Sequence, residues 1–265
     1  MAKLRVATAQ FPVAASIARN LRYMADLICQ AKGQKADVVH FPETCLGGYA
    51  GCEFKSWDGY DWDELQAADD ELRRLAGKLR IALVYGTNHP ISAGDVRNAL
   101  FYVATAGQRE GRYDKRFCTT GDLEYYRAGQ RFVTFELKGF TCGLLICHDM
   151  RYPELYRAYK KRGVQVLFQS FYNARGQGPN IHTEIVRPSL QTHAAENYFY
   201  ISAPNASGHY QSWPSTFVLP DGRIGASCRQ HRAGLVVNEI DARNKFYDAS
   251  AAFRARAMRG VLYSG

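Results

Sequence analysis

The chain has 265 residues, 46% of them hydrophobic and 22% charged, a mix that excludes a disordered, collagenous or membrane-spanning polypeptide. Thirty-four Lys and Arg against 25 Asp and Glu give a formal charge of +9. The longest basic run is only Lys160-Lys161-Arg162 and the other cations are scattered among acids, which argues for a solvated surface rather than a nucleic-acid or membrane partner.

In chain order, residues 4–9 read as a strand. Ile17, Leu21, Met24, Ile28 and Ala31 then recur at helical spacing, with Ser16 placed to cap the start and Gly33 the end. The apolar run 36–41 reads as a buried strand stopped by Pro42, so the chain opens as a β-α-β unit, whose crossover implies a sheet covered by helices. A Gly- and aromatic-rich loop leads into a helix over 63–79 and a strand over 81–86. Segments 98–105 and 112–117 form an expected hairpin, and 132–137 with 141–146 another strand pair. Pro153 opens a helix that stops at Gly163, followed by a strand over 164–169. Helical spacing over 181–197 contains Pro188, which predicts a kink or a later start. Strands follow over 198–203, 215–219 and 234–240, with Asp221-Gly222 as a turn. No linker divides the chain, so one α/β domain over 1–265 is expected, with a short basic tail from about 254 suited to packing or to an intersubunit arm.

The first residues lack a signal-peptide core, and no segment reaches the roughly 18 apolar residues of a membrane helix, so the expected location is the cytoplasm. Seven cysteines, an odd set without CxxC spacing, indicate neither a disulfide framework nor a zinc ribbon. His182, His193 and His209 show no metal-ligand spacing and read as polar or packing residues.

Three strand ends carry reactive side chains: Glu43 after Phe41-Pro42, Lys115 near the end of a hairpin strand, and Cys147 where an apolar strand meets a turn and a helix. Each alone has an ordinary structural reading, as a cap, a solvated cation or a core thiol. Together they resemble the carbon–nitrogen hydrolases of the nitrilase superfamily. The resemblance rests on Val38-Val-His-Phe-Pro-Glu43, on Tyr113-Asp-Lys115 followed by Glu124 and Gly129, on Cys147-His-Asp-Met-Arg-Tyr-Pro-Glu154, and on Ala194-Ala-Glu-Asn-Tyr198. It spans roughly residues 4 to 240.

The resemblance implies a four-layer α-β-β-α sandwich, a homodimer or higher homo-oligomer, and hydrolysis of a small amide, N-carbamoyl compound or, less favoured, nitrile with no cofactor and no metal. The chemistry is consistent with the residues. An amide carbon is a poor electrophile, so Cys147 needs a base, for which Glu43 is placed, and Lys115 with the backbone N–H of His148 stabilises the developing negative charge. A thioester on Cys147 then hydrolyses. Glu124 matches a second acidic position of the family and is given a supporting role beside Lys115, Glu43 or the substrate. Asp149 reads as scaffold; Arg151 either holds the turn or contacts a substrate carboxylate. A Cys147–His148 pair is disfavoured because adjacent side chains in extended chain point apart. Phe171, Tyr172, Asn173 and Tyr49 are expected to shape the substrate pocket. Two departures touch the pocket: Met150 stands where N-carbamoyl D-amino acid hydrolases look to have a second Arg, and Arg116-Phe-Cys118 replaces the familiar residues after the lysine. A catalytically silent binding relative or a Cys142/Cys147 redox sensor remain alternatives, the first disfavoured by the presence of all three reactive residues and neither accounting for Lys115.

Overall fold

The computed structural model describes residues 2–174 and 180–264. Twelve strands among these form two six-stranded sheets. The first contains β1 (Lys3–Gln10), β2 (Val38–His40), β3 (Ala82–Ser92), β4 (Asp95–Val103), β5 (Arg109–Asp114) and β12 (Gly234–Asp241), in the order β12-β1-β2-β3-β4-β5. The second contains β6 (Thr134–Leu137), β7 (Phe140–Ile146), β8 (Val166–Ser170), β9 (Tyr200–Ala203), β10 (Thr216–Val218) and β11 (Ile224–Ser227), in the order β11-β10-β9-β8-β7-β6. Each sheet is built around three parallel strands, β1-β2-β3 and β7-β8-β9, with antiparallel strands outside.

Strand alternation divides the first sheet's side chains between two environments. Leu4, Val6, Val38, Ala82, Val84 and Leu100 join the core shared with the second sheet. Ala7, Ala9, Val39, Phe41, Leu83 and Tyr85 face the other way, into a core with α1 (Ile17–Gly33) and α2 (Trp62–Leu79). On the far side of the second sheet, α3 (Pro153–Lys161) and α4 (Ile181–Asn197) contribute Leu155, Tyr156, Val186 and Leu190. The layers are therefore helix, sheet, sheet, helix, as the resemblance implied.

Local chemistry sets the element ends. Ser16 accepts from Arg19 N to cap α1, and Asp61 accepts from Glu64 N at 2.7 Å to cap α2, each supplying an acceptor for a backbone donor the helix leaves open. Helix α4 begins at Ile181, with Asn180 accepting from His182 N, rather than later as one reading of Pro188 allowed, and it continues through that proline. Side-chain bonds brace the turns around the proline, Ser189 Oγ donating to Ile185 O and Thr192 Oγ1 to Pro188 O. Strand β3 also runs six residues past its expected end and turns at Gly94 into β4. Pro90 fits there because β2 pairs with β3 only as far as Val84, leaving the later part of that edge outside the ladder. The expected tail folds as α5 (Arg254–Ala257), tied down by an Arg254–Asp248 ion pair and by Arg254 Nε donating to Glu196 O; Gly265 lies outside the described residues.

A buried polar chain ties the two sheets at their centre. His40 Nε2 lies 2.9 Å from Ser170 Oγ, and Nδ1 lies 2.9 Å from Ser202 Oγ, which is 2.8 Å from Thr8 Oγ1. Ser170 Oγ donates its only proton to Phe41 O, so it must accept from His40 Nε2–H. Burial holds the imidazole pKa well below its ordinary value, so Nδ1 is an acceptor. Ser202 therefore donates to His40, and Thr8 to Ser202.

Among the described residues no helix is long and apolar enough to cross a membrane, and no group of three or more His, Cys, Asp or Glu is arranged to hold a metal ion. None of the seven cysteines forms a disulfide.

Candidate active site

The parallel strands β2, β7 and β8 deliver Glu43, Cys147 and the segment Phe171–Asn173 to one end of the two sheets, and β5 ends one residue before Lys115. Glu43 N donates to Phe171 O across the sheets at 3.3 Å, fastening one strand end to another. Behind Glu43, β3 passes so closely that a Cβ on Gly86 would lie 2.7 Å from Pro42 O, and nearer still to Thr44 N.

Lys115 is 1% exposed and Glu43 fully buried. The ammonium donates to Glu43 Oε1 at 2.8 Å, to Asp122 Oδ2 at 2.8 Å and to Tyr49 OH at 3.2 Å, which uses all three of its protons. Tyr49 OH in turn donates to Asp122 Oδ1 at 2.6 Å. Burial opposes charge on Lys115, but Glu43, Tyr49, Cys147 and Asp122 hold its pKa well above the ordinary lysine value. Burial likewise opposes the Asp122 carboxylate, and Lys115 outweighs it and holds the carboxyl below its usual range. Glu43 Oε1 accepts a further bond from Asn98 Nδ2 at 2.8 Å, whereas Oε2 is buried without a hydrogen-bond partner among the described residues.

Cys147 follows the buried strand β7 with φ +40°, in the left-handed region, and starts a 3-10 turn, Cys147–Arg151, that leads to Pro153 at the head of α3. A non-glycine residue there is strained and persists only where its surroundings fix it. Asp149 does so: Oδ2 accepts from Ile146 N at 3.0 Å and Tyr113 OH at 2.8 Å, and Oδ1 from Phe117 N at 2.9 Å. Because Tyr113 and Phe117 flank Lys115, one carboxylate clamps the cysteine turn to the lysine segment. Burial pushes the Asp149 pKa up to about 6 in spite of these donors. The stacked rings of Phe117 and Tyr152, 3.5 Å apart, join the same two segments.

A cavity of about 350 Å³ opens over this arrangement, lined by Lys115 and Cys147 together with Tyr49, His148, Arg151 and Tyr172. Asn173 also lines it, so four of the five expected pocket residues do. Phe171 is the exception: it is fully buried against Trp213 and bridged to Asn205, because the strand β8 in effect continues one residue too far for its ring to reach the cavity. Tyr172 is held by its hydroxyl donating to Glu53 Oε1. Burial and then Lys115 lower the His148 pKa, and its ring meets Tyr152 edge-on.

Glu124 requires a correction. It is exposed, and the buried carboxylate beside Lys115 belongs to Asp122, two residues earlier on the same 3-10 turn, Asp122–Glu124. The tight turn points the two side chains in different directions. A signal for Asp122 was present in Thr119-x-x-Asp122, since Asp122 N donates to Thr119 Oγ1 while Thr119 N donates to Asp122 Oδ2. His182 lines the cavity, whereas His193 packs on Tyr156 and contacts Met150 O. Cys142 is fully buried in the core between the sheets, where burial pushes its thiol pKa up.

Fold and site together describe a four-layer α/β frame with Cys147 and the buried Lys115 lining one cavity at its end. The chain belongs to the carbon-nitrogen hydrolase family, whose model matches residues 5–245. It is 27% identical to the 2-oxoglutaramate amidase of Bacillus subtilis (strain 168) over 223 residues, covering 82% of this chain and 83% of that protein. It is 26% identical to the human omega-amidase NIT2 over 256 residues, covering 91% and 90% respectively. Among solved structures, an amidase of the nitrilase superfamily from Nesterenkonia AN1 superposes with a TM-score of 0.82 at 22% identity, with 98% of each chain covered. That amidase has also been solved with the acetamide moiety of fluoroacetamide covalently added at its active site cysteine.

Proposed function

We propose that the protein is an amidase in which Glu43, Lys115 and Cys147 act together on a small amide or N-carbamoyl substrate. The observation that carries this reading is the buried cluster of Lys115 with Glu43 and Asp122, opening beside Cys147 into a cavity of small-molecule size. Glu43 Oε2 takes the thiol proton as sulfur attacks the carbonyl carbon. The resulting oxyanion is held by the His148 N–H and by Lys115, which exchanges its longest bond, to Tyr49, for the substrate oxygen. The proton on Glu43 passes to the nitrogen, which leaves as ammonia or an amine, and a thioester remains on Cys147. Water then gives a proton to Glu43 and attacks the thioester, releasing the acid and the thiol.

The cavity wall supports an anionic substrate. No carboxylate side chain lines it among the described residues, and Arg151, at its exposed edge, forms no ion pair with another described residue. A guanidinium so placed suits bidentate capture of a substrate carboxylate.

Residues 1–265 are read as a single catalytic domain. Association into homo-oligomers is supported by apolar side chains near the chain end, with Tyr247 80% and Leu262 83% exposed.

Mass spectrometry of the protein mixed with amides and carbamoyl compounds tests the reading. An acyl adduct on Cys147, absent from a folded and inactive Cys147→Ala variant, is expected. An adduct confined to another cysteine, or full turnover by that variant, would overturn it.

A further inference from the structure

We propose that Asn98 is a positioning residue for the proton transfer at Glu43, an inference that rests on the amidase reading above. Asn98 lies in β4 and is 1% exposed. Its backbone carbonyl accepts from Lys115 N at 2.9 Å, while its side-chain Nδ2 donates to Glu43 Oε1 at 2.8 Å. One residue thus fixes the lysine through its main chain and the glutamate through its side chain.

The two oxygens of Glu43 are made unequal by this arrangement. Oε1 receives both the Asn98 amide and the Lys115 ammonium, which fill its two lone-pair directions. Oε2 is buried with no partner among the described residues, so it is the oxygen left to receive the Cys147 proton and return it to the leaving nitrogen. The amide is oriented by its partner, since the reversed orientation would set Oδ1 against a carboxylate oxygen. Asn98 Oδ1 is left buried without a hydrogen bond among the described residues. An unsatisfied acceptor of this kind costs stability, and an apolar side chain of the same size would avoid it. The donor on Glu43 is what the asparagine supplies in exchange.

The test compares wild type with Asn98→Leu, which keeps the volume and removes the donor. Two rates are read: kcat and KM for a small primary amide, and alkylation of Cys147 by iodoacetamide. In the second, the thiol proton passes to Glu43 and an S–C bond forms as iodide leaves. A charge-assisted hydrogen bond is worth enough that its loss is expected to lower kcat and the alkylation rate about tenfold to a hundredfold. KM should stay within about twofold, because Asn98 is not among the residues lining the cavity. A merely structural asparagine would change the melting temperature without changing kcat per folded molecule. If Asn98→Leu does not fold, Asn98→Ser, smaller and too short to reach Glu43, carries the same expectation. Rates within twofold of wild type in a folded variant would overturn the proposal. A wild-type protein that neither hydrolyses amides nor is alkylated at Cys147 would instead defeat the amidase reading.

Discussion

Replacing Asp149 by asparagine asks whether a buried carboxylate that fastens the Cys147 turn to the Lys115 segment is held there as an anion or as an acid. The substituted side chain would keep one acceptor oxygen, sufficient for Ile146 N and Tyr113 OH, and turn its amide toward Phe117 N, opposing one donor with another. Losing one bond of this kind costs about 1–3 kcal/mol. The pH dependence is the sharper measurement. Burial raises the folded-state pKa from the ordinary 3.8 to about 6. Between these values the folded protein binds a proton at Asp149 that the unfolded chain does not, so its contribution is present in full below about pH 4. It is lost as pH rises through about 6. Wild type should therefore exceed Asp149→Asn in stability by about 1 kcal/mol more at about pH 5 than at about pH 7.5, at roughly 1.4 kcal/mol per pH unit. Urea denaturation at the two pH values measures the difference. A gap that is constant, or wider at the higher pH, would mean that the three donors outweigh burial and hold the carboxylate ionised, and the reasoning would fail.

Three other outcomes follow from the site. Lys115→Met leaves the Glu43 and Asp122 carboxylates buried without their cation, so it should abolish turnover and destabilise the protein by about 3–5 kcal/mol in urea unfolding. Gly86→Ala drives a methyl group into the Pro42–Thr44 turn; a loss of about 1–3 kcal/mol with a lowered kcat is expected, and an unchanged urea midpoint would contradict the close approach. Arg151→Met should raise KM at least tenfold for an amide bearing a terminal carboxylate and hardly at all for its uncharged analogue, as steady-state kinetics on the pair would reveal.

Sequence carried the reactive residues further than the frame that holds them. Glu43, Lys115 and Cys147 stand where strand patterns end, so they were legible, as was the scaffold role of Asp149. Apolar periodicity located most strands, yet it reports which side of a strand is buried and not against what. The face-to-face arrangement of the sheets therefore came from the family resemblance. Asp122 was passed over for Glu124 because two carboxylates on one short turn differ in burial rather than in chemistry. Asn98 was missed for another reason: it is a polar residue in a strand, and its partner Glu43 lies 55 residues away in sequence. Phe171 was placed in the pocket because the expected strand stopped at 169, whereas the chain stays extended to residue 171.

The Thr8–Ser202–His40–Ser170 chain acts as a one-way fastening. Each hydroxyl owns one hydrogen, and the last of them is committed to the Phe41 carbonyl, two residues before Glu43. Protonating the imidazole would turn Nδ1 from receiver into giver, oppose Ser202 and reverse the row as far as Thr8. Mild acid that charges histidines at the surface should thus leave the mooring of Glu43 undisturbed, and any acid sensitivity of the enzyme must be sought elsewhere.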